Sequence, residues 1–209
     1  MNDLLVAMVA YFEDWLDVSD TGKGDLDGVV AEMKSLTVER PIGAQQLPVV
    51  DEWLIAATQN ESAPHCEPLM AALADTYQSL RWVTVPDDYM GVAFARNFAY
   101  TQLIGSPIDD DLGTVYGSGK IAAGFSLQAP DLFYPPHFHS AVEFCGILSG
   151  LAQWQSYYNP PVFHPPGAHL FHPTEVAHAM QTLDEPLLAV WAWTGEMGAP
   201  VKIDVDGWL

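Results

Sequence analysis

Basic residues are scarce in this 209-residue chain. Seven lysines and arginines stand against twenty-seven aspartates and glutamates, and the formal net charge is −20 at pH 7. Phosphate backbones and anionic lipid headgroups repel a chain this acidic, which argues against nucleic acid and membrane surfaces as partners. The charge serves solubility, and it is also compatible with attraction of a cationic or zwitterionic small molecule.

Cysteines and long apolar runs are also lacking. The two cysteines, Cys66 and Cys145, have no CxxC spacing, so a disulfide framework is not expected. No run approaches the roughly 18 apolar residues of a membrane-spanning helix. Residues 4–10 are apolar, but Asp3 precedes them and Glu13 follows, unlike a signal peptide. We predict a globular, cytoplasmic protein.

Helical periodicity dominates the N-terminal half of the chain. From residue 2 to about residue 105, apolar residues recur every three or four positions. We expect these apolar stripes to pack in the core. The predicted helices cover the N-terminal stretch from residue 2, then residues 26–36, 49–59 and 65–82, and a last segment that follows Pro86 and runs through Phe98 and Leu103 to Gly105.

After Gly105 the pattern changes to short apolar runs bounded by glycine and proline. Six runs are predicted as strands, at residues 121–129, 142–149, 153–158, 168–172, 178–183 and 187–193. Many short strands at this spacing are typical of an antiparallel barrel or jelly roll. The sequence therefore predicts an α+β protein, with a helical N-terminal region at residues 1–105 and a C-terminal antiparallel β-barrel at residues 106–209.

Side chains of the types that bind metals cluster in the second half. His137 and His139, two residues apart, share one face of an extended segment and can share one ion. Glu143 would lie about 13 Å beyond His139 in a straight strand. We therefore predict a bend directly after His139, which places Glu143 and Cys145 on the next strand, facing one interior. His178 adds a third imidazole.

These residues resemble the first motif of the cupin superfamily, G-x5-H-x-H-x3,4-E-x6-G. His137, His139, Glu143 and Gly150 fall at the required intervals, while Asp131 occupies the leading glycine position.

The second cupin motif, G-x5-P-x-G-x2-H-x3-N, is similar to the segment that begins at Gly167. Pro173 and His178 match it, Glu175 replaces the internal glycine, and Thr182 replaces the asparagine. The double resemblance implies a cupin barrel of the jelly-roll type.

The resemblance also implies that His137, His139, Glu143 and His178 hold a divalent transition metal. Three imidazoles and a carboxylate suit Fe, Mn, Ni, Co or Zn and leave coordination positions open, so the metal's identity stays open too. The remaining histidines are expected to be structural (His65) or surface and hydrogen-bonded residues (His164, His169 and His172).

A closer resemblance is to the cupin-type dimethylsulfoniopropionate lyases, which join a helical N-terminal region to a cupin. The sequence Tyr134-Pro135-Pro136-His137 matches the one that precedes that family's first motif. The resemblance implies a metal-dependent lyase. In the family, a metal-bound substrate carboxylate and a tyrosine base lead to β-elimination, which gives dimethyl sulfide and acrylate.

One departure from the family concerns the base. The family commonly has tyrosine two residues after the metal-binding glutamate, where this chain has Cys145. A nearby cation can bring a thiol of pKa about 8.5 or a phenol of pKa about 10 toward neutrality. Cys145 and Tyr134 are therefore the candidate catalytic residues, and a packing role is the alternative for each.

The expected partner is a small carboxylate, including an onium zwitterion that aromatic rings can hold by cation–π contact. Two other functions stay open: another cupin metalloenzyme, an oxygenase or isomerase acting on a small carboxylate, and a non-catalytic, metal-dependent small-molecule-binding cupin. A homodimer formed through the apolar helical half also stays open. The aromatic candidates on predicted strands are Trp154, Tyr157, Tyr158, Trp191 and Trp193.

Overall fold

Helices fill the N-terminal half of the chain in the computed structural model, which describes residues 2–106, 112–157 and 159–204. Pro48 and Pro68 lie in the first turns of α3 and α4, where a missing N–H costs no hydrogen bond. None of the described helices has the length and apolarity needed to cross a bilayer. The helices are α1 (Asn2–Val18), α2 (Lys23–Ser35), α3 (Pro48–Gln59), α4 (Glu67–Thr76) with a following 3-10 turn (Tyr77–Ser79), α5 (Asp87–Met90) and α6 (Val92–Asn97).

The first four predicted helices are confirmed, but the last one is wrong in its second half. Phe98–Gly105 forms strand β1 rather than the end of a helix. Nearly all of β1 is buried, because Ala99 and Leu103 face the helices while Phe98 and Gln102 line a cavity. A strand buried on both faces shows no alternation of apolar and polar residues. Strand β1 lies within the region predicted to be helical, before the domain boundary predicted at residue 105. That boundary stays a prediction.

The strands form two mainly antiparallel sheets that face each other as in a jelly roll, and together with the helices they confirm the predicted α+β fold class. The larger sheet has the order β2-β1-β3-β10-β5-β8, and the smaller one has the order β11-β4-β9-β6-β7. The pair β1–β2 is parallel, and the other pairs are antiparallel. The strands after β1 are β2 (Tyr116–Gly117), β3 (Ile121–Gln128), β4 (Phe133–Phe138), β5 (Ala141–Ser149), β6 (Ala152–Ser156), β7 (Val162–His164), β8 (His169–His172), β9 (His178–Thr182), β10 (Leu187–Gly195) and β11 (Lys202–Ile203).

Strand β4 carries two prolines, which explains why the sequence pattern did not predict it. Its ladder with β9 pairs Tyr134 with Met180 and His137 with His178, and the register shifts between these two pairs. The irregularity falls at residues 135 and 136, because proline cannot donate a ladder hydrogen bond. The shift brings His137 directly opposite His178.

Helices α1 to α4 pack on one face of the larger sheet and share its hydrophobic core. The Trp15 ring meets Phe144 edge-on at 5.6 Å between centroids and stacks on His169 at 4.2 Å. On β5, Phe144 faces these helices, whereas Cys145 and Ile147 belong to a second core between the two sheets. The alternation predicted for this strand is thus confirmed, and Cys145 faces the interior.

Candidate metal centre

Three side chains converge where the chain crosses from the smaller sheet to the larger one. Glu143 lies on β5 of the larger sheet, His178 begins β9 of the smaller sheet, and His139 lies in the bend that joins β4 to β5. Their ligand atoms lie within 4.8 Å of one another. Each imidazole Nε2 is 3.3 Å from Glu143 Oε2. The predicted bend after His139 is confirmed.

Backbone carbonyls orient the two histidine rings. Nδ1 of His139 donates to the Ala141 carbonyl at 2.9 Å, and Nδ1 of His178 donates to the Val176 carbonyl at 3.1 Å. A carbonyl can only accept, so Nδ1 carries the proton, and Nε2 of a neutral ring offers a lone pair. Both lone pairs point at a carboxylate oxygen of Glu143, so a proton or a cation must lie between them. The donor set therefore fits a divalent metal ion.

The electrostatics of Glu143 favour its charged form. Burial raises the pKa of this carboxyl, but the contacts with His139 and His178 outweigh burial and hold the pKa well below its usual range. Burial lowers the pKa of His139, but the hydrogen bond and the charge of Glu143 together raise it by more. The net shift of the His139 pKa is therefore upward. The Trp193 indole Nε1 donates to Glu143 Oε1 at 3.0 Å, which leaves Oε2 to the histidines.

His137 lies beside this group without joining it. Its ring stacks on Tyr134 at 4.0 Å between centroids and meets the His178 ring edge-on at 4.2 Å. Its Nδ1 donates to the Pro135 carbonyl at 2.9 Å. Burial, followed by His178, lowers the pKa of His137 well below its usual value. The structure thus brings together three of the four predicted ligands, and the role of the fourth stays a prediction.

His172 is a residue that sequence reasoning missed. It was expected at the surface or hydrogen-bonded, but it is 2% exposed, and neither ring nitrogen finds a partner among the described residues. Its ring stacks on His178 at 3.9 Å between centroids, and the parallel Trp154 ring lies 5.8 Å away. In the β5–β8 ladder it pairs with Glu143. His172 therefore packs against the candidate metal ligands through its stack on His178 and its pairing with Glu143.

A cavity of about 780 Å³ opens in front of the three convergent side chains. This volume falls in the range of roughly 300–1,000 Å³ that is typical of small-molecule sites. Of the aromatic candidates, Tyr157 is 55% exposed and Tyr158 lies outside the described residues. Aromatic residues that line the cavity are Tyr89, Phe98, Tyr100, Tyr134, Trp154, Trp191 and Trp193.

Both candidate catalytic residues line the same cavity. Cys145 lies two residues after Glu143 on β5, and it pairs with Trp191 of β10. Burial, followed by the Glu143 charge, raises the pKa of the Cys145 thiol well above its usual value. Burial, followed by Tyr89 and Glu143, raises the pKa of Tyr134 as well. Each group is therefore protonated in the metal-free protein near neutral pH.

The two non-glycine residues at motif glycine positions share an unusual backbone conformation. Asp131 has φ 55° and Glu175 has φ 59°. Both values lie in the left-handed region, which favours glycine because it has no Cβ. The glycines of the two motifs thus correspond to turns that require positive φ, and this chain keeps the turns with other residues.

Comparison with known proteins gives a family match over most of the chain. A family model described as dimethylsulfoniopropionate lyase matches residues 21–189. The chain is similar to dimethylsulfoniopropionate lyase DddQ of Ruegeria pomeroyi, with 31% identity over 188 residues and 87% of each chain covered. It is also 31% identical, over 106 residues, to a putative dimethylsulfoniopropionate lyase DddL of Cereibacter sphaeroides, covering 49% of this chain and 41% of that protein.

Solved structures of such lyases have the same fold. The crystal structure of DddQ from Ruegeria pomeroyi aligns with a TM-score of 0.78 at 25% identity over 100% of both chains. The structure reported for the lyases RdDddP and RnDddQII aligns with a TM-score of 0.73 at 23% identity over 96% of this chain and 97% of that chain.

Proposed function

Because this chain belongs to the dimethylsulfoniopropionate lyase family, we propose that it is a metal-dependent lyase that cleaves dimethylsulfoniopropionate into dimethyl sulfide and acrylate. The observation that carries the proposal is one cavity that combines a candidate metal centre with aromatic walls. His139, Glu143 and His178 stand at one end, and aromatic rings line the walls. A small zwitterion with a carboxylate and an onium group is complementary to both features.

The residues at the metal end would hold one divalent transition metal: Fe, Mn, Ni, Co or Zn. When bound, the ion would anchor the substrate carboxylate and stabilise the negative charge that develops as the neighbouring carbon loses its proton. His137, with its neutral ring beside the group, is placed to contact the same carboxylate or to complete the ligand set. A homodimer and a cytoplasmic location stay predictions from the sequence.

The aromatic walls would orient the sulfonium group. Trp191 and Trp193 lie two residues apart on one face of β10, and their ring centroids are 5.6 Å apart at an interplanar angle of 55°. Both indoles line the cavity, and a cation over the face of an indole is stabilised by about 0.5–2 kcal/mol. The bond between Trp193 Nε1 and Glu143 fixes one indole relative to the metal end. The two ends of the substrate are thereby held at a set separation.

The reaction needs one base. A base removes the proton from the carbon next to the carboxylate, the electron pair forms the carbon–carbon double bond, and the carbon–sulfur bond breaks toward sulfur. Dimethyl sulfide leaves with that electron pair, acrylate remains, and the base keeps the proton. Cys145 and Tyr134 are the candidate bases, because both line the cavity. Burial, followed by the Glu143 charge, raises the pKa of Cys145, and burial, followed by Tyr89 and Glu143, raises the pKa of Tyr134. A metal ion at Glu143 would offset the part of each shift that the carboxylate causes.

Release of dimethyl sulfide and acrylate from protein loaded with each metal tests the proposal. We expect turnover with wild type, and loss of both metal and activity in His178→Ala and Glu143→Ala while the circular dichroism spectrum is kept. Cys145→Ala and Tyr134→Phe separate the candidate bases, since the base variant loses kcat and keeps its metal. Cys145→Tyr tests whether the family residue restores or raises turnover.

Two results would redirect the proposal. Stoichiometric metal and tight substrate binding without product would favour a non-catalytic binding protein, which Cys145 at the position of the family's tyrosine makes the second candidate function. Background turnover on this substrate, together with oxygen consumption on other small carboxylates in the Fe(II) protein, would favour an oxygenase.

A further inference from the structure

Two turns that flank the metal group are tied together by hydrogen bonds. The first turn is the bend at residues 139–141, between β4 and β5, and the second turn precedes β9 at residues 173–177. The Glu175 N–H donates to the His139 carbonyl at 2.9 Å. The Ser140 hydroxyl donates to Glu175 Oε1 at 2.6 Å, and the Thr174 hydroxyl donates to the Ser140 carbonyl at 2.7 Å. Three bonds thus connect segments that are about 35 positions apart.

Each tied turn also provides the carbonyl that orients a histidine. The Ala141 carbonyl, one residue after Ser140, accepts from Nδ1 of His139. The Val176 carbonyl, one residue after Glu175, accepts from Nδ1 of His178. A shift of one turn relative to the other would therefore move one imidazole relative to its partner. In the structure, both Nε2 atoms lie 3.3 Å from Glu143 Oε2.

The backbone of Glu175 has a conformation that is unfavourable for a residue other than glycine. Its φ of 59° is in the left-handed region, where residues with a Cβ are disfavoured. The side chain is half exposed, and its only close cation among the described residues is Lys202, with Nζ 3.9 Å from Oε2. A surface ion pair of this kind stabilises little. The hydrogen bonds to the bend at residues 139–141 are then the interactions that offset the strain.

We propose that Glu175 is a positioning residue, which sets His139 and His178 for metal binding by tying together the two turns that carry them. The inference rests on the proposed function, since it assumes that these imidazoles bind a metal. Glu175 itself contributes no ligand. Its contribution is a short bridge between the cupin motifs at a position where the superfamily motif has glycine.

Three substitutions separate the side chain from the backbone. Glu175→Gly removes the bond between Ser140 and the carboxylate and relieves the positive φ, but it keeps the backbone bond to His139 and the Thr174 bond. We expect a fold at least as stable as wild type and a Kd for Zn(II) raised about tenfold, the low end for loss of a group that orients a ligand. Glu175→Ala loses the same contact without that relief, so it binds equally weakly and also unfolds more easily. Glu175→Gln keeps an acceptor for Ser140 and should bind Zn(II) as wild type does.

Asp131→Gly is the matched control. Asp131 has nearly the same φ, and its N–H donates to the Leu183 carbonyl, outside the two tied turns. The control should gain stability in the same way as Glu175→Gly but leave the Zn(II) affinity unchanged. Affinity is measured by competition with a chromophoric chelator, and stability is measured by urea unfolding of the metal-free protein.

A metal-free readout makes the outcomes distinct. Long-range proton–nitrogen NMR spectra report the tautomer of each histidine, and at mildly alkaline pH we expect His139 and His178 as Nδ1–H forms in wild type and as mixed tautomers in Glu175→Gly. Unchanged tautomers and unchanged Zn(II) affinity in Glu175→Gly would overturn the positioning role. A wild-type protein that binds no Zn(II) would overturn the metal role instead, while the tautomers would still decide the role of Glu175.

Discussion

The number of protein ligands is the sharpest difference between the sequence motif and the structure. The motif counts His137 with the ligands, whereas the described part of the chain brings together His139, Glu143 and His178. Zinc sites with four protein ligands bind with roughly 10–16 kcal/mol, which is about 3 kcal/mol per ligand. At 1.4 kcal/mol per tenfold, the loss of one ligand raises Kd by about two orders of magnitude.

We therefore expect His139→Ala to raise the Kd for Zn(II) about a hundredfold or more. His137→Ala removes a ring that touches His178 without sharing the group, so its effect should stay below about tenfold. His164→Ala, at a histidine outside the group, controls for the loss of an imidazole and should leave Kd unchanged. Competition with a chromophoric chelator measures Kd, and circular dichroism checks the fold.

The contradicting result is a specific one. If His137→Ala and His139→Ala weaken Zn(II) binding equally while His164→Ala does not, His137 is a ligand. Metal binding would then swing its ring away from the stack on Tyr134, and the four-residue set of the motif would hold.

Three further predictions concern the contact between α1 and the larger sheet. Tyr11→Phe should raise the free energy of unfolding by about 1 kcal/mol, because the Tyr11 hydroxyl is buried without a hydrogen-bond partner in the described part of the chain; a loss in urea unfolding would reveal a hidden partner. Gly146→Ala should lower it by about 1–3 kcal/mol, since the new Cβ would lie 1.9 Å from that hydroxyl. The double variant should lose less, and strict additivity would refute the contact. Burial lowers the pKa of His169 to about 4. Between pH 6.5 and pH 4 the unfolded chain therefore binds more protons at this residue than the folded chain does, and the free energy of unfolding decreases as the pH is lowered. His169→Phe should flatten this decline, and an unchanged slope in urea titrations across that range would contradict it.

The sequence predicted most of the fold because periodicity and turn residues agree over most of the chain. It missed β1 for a physical reason. Phe94, Phe98 and Leu103 fit a helical stripe, but the second part of this stretch is inserted between β3 and β2 and is buried on both faces. The register shift between Gln102 and Ile104 blurs the strand period further. Pairing with distant strands, rather than local propensity, determines the conformation there.

The candidate site was predictable in its residue types but not in its arrangement. Spacing along the chain identified His137 as readily as His139, but it could not show that the His137 ring stacks on Tyr134 or that the register of β4 pairs His137 with His178. His172 was missed because burial of a histidine without hydrogen-bond partners has no signature in one sequence. Its position opposite Glu143 follows only from the β5–β8 register.

The two free cysteines lie in different layers of the molecule, and both are buried. Cys66 immediately precedes α4, and its Sγ lies 3.8 Å from the carbonyl oxygen of Ile147 on the larger sheet. Cys145 faces the cavity between the two sheets. An alkylating reagent can reach Cys66 only when the helices lift from the sheet, whereas Cys145 lines the cavity that the substrate would enter. Bound substrate should therefore slow the labelling of Cys145 and leave the labelling of Cys66 unchanged, so the native thiols report occupancy of the cavity without any introduced probe.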